Sequence, residues 1–453
     1  MPTQTPPGRP GNLTPEQEKK LKEFWIATLN VFGVDTETSD DASTTTASAS
    51  GTATPATDAG GKHKKKMSLF KSKKTKDAES AASSSAADDA SNDKHGQTRE
   101  FKEAIASTSP ETLRLAFWNM VKHDDPDALL LRFLRARKWD VHNALVMLIA
   151  TMHWRAEEMH VDDDIMLHGE EGAFKRKDSD KDSADFLTQL RMGKSVIHGV
   201  DKEGRPVVTV RVRLHKGGEQ TEKSLERYTV YTIETARMLL RGNVDTATII
   251  FDMTSFSMAN MDYAPVKFMI KCFEANYPES LGSVVVYKAP WVFNQIWRII
   301  KGWLDPVVAS KIHFAKNIDE LQTYIPRDRI MKELDGDEAF EYKYIEPVAG
   351  ENKVMEQGAS QRATIEAERK SLVDAYERDT ISWASDSGRG GSERSAVKDK
   401  LQENYWTLDP YLRARSHYDR EGLLGEGGKL DFYPATKPTA SSTTAATSND
   451  DLD

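Results

Sequence analysis

ATIIFDM, residues 247–253, is a largely apolar run, too short for a typical helix and lacking the alternation of a half-exposed strand. Such a run suits a strand covered on both faces, the usual condition of a parallel sheet. SVVVYKAP at 283–290 repeats the pattern, and KIHFAK at 311–316 is a shorter instance. Upstream, VVTVRVRLH at 207–215 alternates apolar and polar positions, which predicts a strand with one face toward water. Helical patterns fill the gaps at about 221–241, 261–277, 292–303 and 317–323. Parallel strands need long crossovers, so this strand–helix alternation predicts an α/β fold with a mostly parallel β-sheet and helical crossovers over 185–347.

Outward from the sheet, residues 98–165 read as an N-terminal helical lobe. Pro110 and Pro126 each follow a capping residue, Ser109 or Asp125, and open helices there. A third helix runs from about 141 to 158, with Leu145, Leu148, Ile149 and Met152 on one face. The acidic stretch 162–184 reads as a loop. At the front, residues 1–34 carry one amphipathic helix, opened by Thr14 and Pro15, whose Phe24, Trp25, Leu29 and Val31 are expected to dock on the body. Residues 35–97, rich in Ser, Thr, Ala and Asp, cannot bury enough apolar surface to offset chain entropy and read as a disordered insertion. It contains KHKKKMSLFKSKKTK at 62–76, a polybasic run suited to solvent, to anionic lipid or to a nuclear localisation signal. Residues 348–435 form a helical extension with a charged helix at 359–383, a SDSGRGGS loop at 385–392 and an aromatic-rich end; 436–453 read as a disordered tail.

Composition bounds the function. A net charge of −9 over 453 residues argues against nucleic acid as a partner by bulk charge. No run of about 18 apolar residues is present, and MPTQTPPGRPGNL lacks the apolar centre of a secretory signal, so a cytoplasmic protein with at most peripheral membrane contact is expected. The single cysteine, Cys272, leaves no intramolecular disulfide and reads as a small buried hydrophobe. Catalytic patterns fail one by one. GKS at 193–195 would need a glycine where Thr188 stands, and neither G-x-S-x-G nor H-E-x-x-H occurs. Asp252, at a strand end, lacks a sequence-evident nucleophile or metal partner and reads as a cap, and the histidines, His153 among them, show no ligand spacing. No catalytic residue, metal or cofactor is therefore expected.

Three segments each set one ionic residue in apolar surroundings: Arg137 in LLRFLRARKWD (130–140), Glu279 in NYPESLG (276–282) and Lys311 in LDPVVASKI (304–312). Two cations and a carboxylate can pair with each other, or can jointly hold a phosphate and a ring of hydroxyls. A fourth segment, WVFNQIWRIIKGWLDP at 291–306, concentrates three of the nine tryptophans with apolar residues on more than one face, which suits either a buried helix or a lid that opens at a membrane.

The three ionic segments in this order, with DKEGRPV at 201–207 between them, resemble the CRAL-TRIO lipid-binding family, in particular its fungal phosphatidylinositol transfer branch. The likeness covers roughly 105–347, and PGRPGNLTPEQEKKLKEFW adds to it. The resemblance implies a lipid pocket in the sheet domain, with phosphatidylinositol as bound ligand and Arg137, Glu279 and Lys311 on its headgroup. It implies that the 291–306 helix is a gate, with Trp297, Ile300, Trp303 and Leu304 facing the membrane and Gly302 and Pro306 as hinge points. It also implies non-enzymatic lipid transfer by a monomer that associates peripherally with endomembranes (endoplasmic reticulum, endosome or lipid droplet) and presents lipid to a kinase, with the C-terminal helices open to a protein partner. The family's serine and threonine that help bind phosphatidylcholine are Ala247 and Ile249 here, and its threonine near the headgroup lysine is Val308. Those side chains offer no hydrogen bond, so a second ligand is expected to be more apolar, such as a sterol or isoprenoid hydrocarbon. Two other readings remain: a carrier of a different hydrophobe, and a recruitment scaffold without transfer activity.

Overall fold

The computed structural model describes residues 5–36, 93–385 and 391–434. The polybasic run at 62–76, most of the insertion expected around it, the centre of the SDSGRGGS loop and the tail at 436–453 lie outside the described residues.

Helix α1 (Pro15–Val31) is capped by a reciprocal pair, Thr14 and Gln17, and buries Phe24, Trp25 and Leu29 completely. It docks on a lobe of α2 (Gln97–Ser107), α3 (Pro110–Val121), α4 (Pro126–Ala136) and α5 (Val141–His153), the last continued by a π-turn at Trp154–Glu158. Ser109, Asp125 and Asp140 cap α3, α4 and α5 through their side chains.

The stretch 162–184 departs from the expected loop. It folds into a π-turn (Val161–Met166), α6 (Leu167–Arg176) and the start of α7 (Lys181–Arg191). Its carboxylates find partners far away in sequence: Asp164 pairs with Arg227, and buried Glu170 pairs with Arg420 and accepts from Tyr231 and Tyr344. A local window shows only the charge.

The sheet runs β1 (Ser195–Val200), β2 (Pro206–Arg211), β3 (Ala247–Asp252), β4 (Leu281–Tyr287) and β5 (Ile312–Ala315) in that spatial order. β1 is antiparallel to β2 and the other pairs are parallel. Crossovers are α8 (Glu222–Arg237), α9 (Tyr263–Lys271), and α10 (Phe293–Lys301) with α11 (Pro306–Ser310). Strand parity explains the unbroken apolar runs. Ile249, Phe251, Val284 and Val286 face the crossover helices, whereas Ile250, Val285 and Tyr287 pack with Leu321, Ile325 and Leu334 on the other face. Strand β2 is correspondingly buried on both faces, contrary to the half-exposed strand expected at 207–215, and after Arg211 the chain turns into a 3-10 turn. Strand β1 has no counterpart among the expected strands. Its N–H groups turned away from β2 are taken by three tyrosine hydroxyls, those of Tyr228 on Ser195, Tyr418 on Ile197 and Tyr433 on Val200. That covers an edge open to strand addition.

After α12 (Ile318–Leu321), the extension forms α13 (Lys353–Gln357), α14 (Ala359–Ala384), α15 (Gly391–Leu412) and α16 (His417–Glu421). It is part of the core. The Arg394 guanidinium binds Asp127 and lies 5.6, 4.6 and 4.4 Å from the rings of Trp25, Tyr376 and Trp383. On α16, the Glu421 Oε2 is buried with no hydrogen bond, and His417 Nε2 stays 3.8 Å away. Burial pushes this carboxyl up to about 7. A folded-state value above the unfolded one means that stability falls as pH rises from the unfolded carboxylate range to about 7. Glu421→Gln is therefore expected to stabilise the protein by about 1–2 kcal/mol at pH 8, allowing for partial solvent screening. The gain should vanish near pH 4; equal wild-type and variant melting temperatures at pH 8 would refute it.

Candidate functional site

A cavity of about 280 Å³ lies between the sheet face carrying Ile249 and Phe251 and helices α8, α9 and α10. Its lining is mostly aliphatic and aromatic because one parity of β2, β3 and β4 and the inner faces of the three helices converge on it. Ala247, Ile249 and Val308 all line it. The positions where the family resemblance calls for hydroxyls are thus bare apolar wall.

Helix α10 closes one side. Phe293 and Ile296 are buried, and Trp297, Ile300 and Leu304 line the cavity. Arg298 and Lys301 point outward with Ile299, which is 47% exposed, and Trp291 before the helix is 82% exposed. The helix is therefore two-faced, and the membrane-facing assignment of Trp297, Ile300, Trp303 and Leu304 is corrected for this arrangement. Three of them face inward. Trp303 packs edge-on to Tyr263 at 5.2 Å under the Lys267 ammonium. The outward apolar groups are Trp291, Ile299 and Val307. Sequence spacing alone does not separate the faces, because the segment bends at Gly302 and restarts at Pro306, with Asp305 as its cap.

The structure brings two of the three ionic residues together. Glu279 sits in the turn before β4 with φ +55°, a region that costs a side-chain-bearing residue about 1–2 kcal/mol. Buried Arg132 clamps that turn, donating to the Glu279 carbonyl at 2.9 Å and to the Asp245 carbonyl at 2.6 Å. Lys311 ends α11, and its Nζ lies 3.7 Å from Glu279 Oε2, both side chains about one-fifth exposed. Ser280 and Ile312, their chain neighbours, line the cavity. The pair thus stands where the cavity meets the surface at the N-terminal ends of β4 and β5. Arg137, the C-cap of α4, makes no ion pair within 4 Å among the described residues. Its guanidinium donates to Gln97 Oε1 and to the Ala136 carbonyl, and the carboxylates of Asp305 and Glu274 act on it through their charge.

Sequence reasoning missed a cluster beside it. Lys94 donates to the Trp303 carbonyl and to Glu274 Oε2 (2.7 Å), His95 Nε2 meets the same oxygen at 2.7 Å, and the Asp305 N–H donates to Glu274 Oε1 at 2.6 Å. This ties the lead-in to α2 to the segment that follows α10. Burial raises the Glu274 carboxyl, but these three donors outweigh it and hold the group below its ordinary range. The only sequence signal was charge at the edge of a low-complexity stretch.

The remaining candidates are structural. Asp252 pairs with Arg213 and accepts from the Thr254 N–H at 3.0 Å. His153 shares a hydrogen bond with Thr108 at 2.7 Å. Cys272 is buried, which pushes its thiol up. Among the described residues no cluster of three or more potential metal ligands occurs, and no helix is long and apolar enough to cross a membrane.

Residues 190–336 match the CRAL/TRIO domain, and residues 97–150 match the CRAL/TRIO N-terminal domain. A CRAL-TRIO domain-containing protein of Schizosaccharomyces pombe is 43% identical over 92% of this chain and 92% of its own length. The phosphatidylinositol transfer protein CSR1 of Eremothecium gossypii is 39% identical over 92% of this chain and 98% of its own length. A solved structure, described as the crystal structure of Sfh5, covers 52% of this chain and 82% of its own with 18% identity and a TM-score of 0.38, a likeness too loose to bear on the site.

Proposed function

Because this chain belongs to the CRAL-TRIO family, we propose that it carries phosphatidylinositol between membranes and is not an enzyme. The observation that carries this reading is the Glu279–Lys311 pair standing where an apolar cavity meets the surface; Arg137 ends α4 on the helical lobe. Moving acyl chains from bilayer to cavity exchanges one apolar medium for another, so tails hold the lipid without selecting it. Selection falls to the polar groups. The Lys311 ammonium and the Arg137 fork suit the phosphate, and the Glu279 carboxylate accepts from ring hydroxyls. At 3.7 Å the Glu279–Lys311 contact is loose, and ligand groups can insert between its partners. Docking would use exposed Trp291, Ile299 and Val307 beside Arg298 and Lys301, and the segment 291–306 would swing about Gly302 and Pro306. We place this work at the cytoplasmic face of endomembranes, by a monomer that hands its lipid to membrane enzymes.

Transfer of labelled phosphatidylinositol and phosphatidylcholine between vesicles tests the reading. Phosphatidylinositol should move and phosphatidylcholine should stay near background, since Ala247 and Ile249 supply no hydrogen bond. Equal transfer of both, or none by the folded protein, would sink it. Combining Ala247→Ser with Ile249→Thr puts two hydroxyls on the cavity wall and should raise phosphatidylcholine transfer severalfold relative to phosphatidylinositol. An unchanged ratio would locate headgroup choice elsewhere. The same bare wall favours a second cargo without a phosphocholine head. A scaffold role is less supported, because α14 and α15 spend Val373, Tyr376, Leu401 and Tyr405 on the protein's own core.

A further inference from the structure

Lys194 is the lysine of the GKS stretch. It is 5% exposed and lines the cavity. Two other cations line the same cavity, and each has a carboxylate: Arg211 meets Glu333 at 2.6 Å and Arg237 meets Glu234 at 3.1 Å. Lys194 has no carboxylate within 4 Å among the described residues. Its ammonium donates to Gln220 Oε1 at 2.7 Å, Gln189 Oε1 at 3.2 Å and His215 Nδ1 at 3.4 Å, all neutral acceptors. Receiving that proton at Nδ1 leaves the His215 hydrogen on Nε2, which has no hydrogen bond and faces the Asp262 carboxylate at 3.4 Å. The imidazole therefore stands between Asp262 and the ammonium.

This position is remote from the proposed headgroup site. The Lys194 carbonyl accepts from the N–H of Arg211, the last residue of β2, so Lys194 lies at the C-terminal ends of the parallel strands. Glu279 and Lys311 precede β4 and β5 and lie at the opposite ends. A six-residue strand such as β3 separates the two ends by roughly 16 Å. A lipid whose head rests on Glu279 and Lys311 turns its tails toward a buried cation, an unfavourable match. A monoanion placed there would instead satisfy it.

We propose that Lys194, flanked by Gln189 and His215, binds the carboxylate of a long-chain lipid acid inside the cavity, as a second cargo taken in place of phosphatidylinositol. The proposal rests on the reading of the cavity as a lipid site. A carboxylate fits better than a phosphate dianion, because one cation faces it and Asp262 lies just beyond His215. The incoming oxygen replaces the long contact to His215 Nδ1 and leaves the two glutamine contacts in place. Burial brings the Lys194 ammonium down to about 8, and the charges of Glu219, Asp185 and Asp262 offset that burial only in part.

The test compares oleate with oleyl alcohol, which share a chain and differ in charge, on the full-length protein. Wild type should bind oleate about tenfold or more tightly than the alcohol, the scale of a charge-assisted hydrogen bond in a dry site. Lys194→Met should lose that preference and keep its affinity for the alcohol, and Lys194→Arg should retain part of it. Oleate should also displace phosphatidylinositol from loaded protein. Equal wild-type affinities for the two, a preference that survives Lys194→Met, or no displacement would each overturn the proposal. The wild-type comparison decides even if the methionine variant does not fold. Phosphatidylinositol transfer measured in parallel separates the two readings, since its absence alongside a retained oleate preference removes only the phosphatidylinositol assignment.

Discussion

Replacing Lys311 with alanine is expected to cut phosphatidylinositol transfer at least tenfold while leaving the fold intact. The lysine is one-fifth exposed and its ion pair to Glu279 spans 3.7 Å, so its loss should cost less than about 1 kcal/mol of stability. A charge-assisted contact to a lipid phosphate is worth about 1.5–3 kcal/mol, which corresponds to roughly ten- to a hundredfold in affinity. Arg137→Ala should act in the same direction. It also removes the contact to Gln97 between α4 and the start of α2, so a slightly lower melting temperature is expected with it. Initial transfer rates beside thermal unfolding check both. Unchanged phosphatidylinositol transfer by either folded variant would remove that residue from the headgroup site. Unchanged transfer by both would leave Glu279–Lys311 a plain surface ion pair.

The largest stability effect is expected at Glu234. This carboxylate is fully buried on α8 and gathers three cations: Arg155 at 2.6 Å, Arg237 at 3.1 Å and Lys122 at 3.4 Å. The Tyr277 hydroxyl also donates to it at 2.8 Å. Burial alone would raise the group, but Arg155, Arg237 and Lys122 outweigh it and hold Glu234 well below the usual carboxylate range. Glu234→Gln keeps the shape and removes the charge, leaving three buried cations of which Lys122 and Arg155 retain Asp162. Breaking a buried pair in this way costs about 3–5 kcal/mol. A folded value below the unfolded one means that the contribution is present at neutral pH and is lost as pH falls below the unfolded value, about 4.3. The stability gap between wild type and Glu234→Gln, read by urea unfolding, should therefore narrow in acid. A gap under about 1 kcal/mol at pH 7 would mean that the remaining charges rearrange around the amide. The cluster also matters for the site, because Tyr277 leads directly into the Pro278–Glu279 turn.

Much of the fold was legible in short windows. ATIIFDM and SVVVYKAP lack alternation because both faces of β3 and β4 are covered, and the helix starts at Thr14, Ser109, Asp125 and Asp140 carry their caps beside them. Burial periodicity and capping act over a few residues, so a linear reading captures them. Strand β1 was not legible because tyrosines from α8 and the C-terminal extension complete its edge. The helices within 162–184 were not legible because Arg227 and Arg420, far along the chain, neutralise their carboxylates.

The site divides in the same way. The sequence by itself determined that Ala247, Ile249 and Val308 bring no hydrogen-bonding side chain, since that is a property of the residue, while their place at a pocket was implied by the family resemblance. It also singled out Arg137, Glu279 and Lys311 as ions in apolar company. Only the tertiary structure decided that Lys311 meets Glu279 while Arg137 turns to Gln97. It alone set Trp297 inward and Trp291 outward, and surrounded Lys194 in the cavity wall with the neutral acceptors Gln189, His215 and Gln220. Which charges neutralise one another depends on which distant segments are brought within a few ångströms, and that distance is a property of the packed chain rather than of any stretch of it.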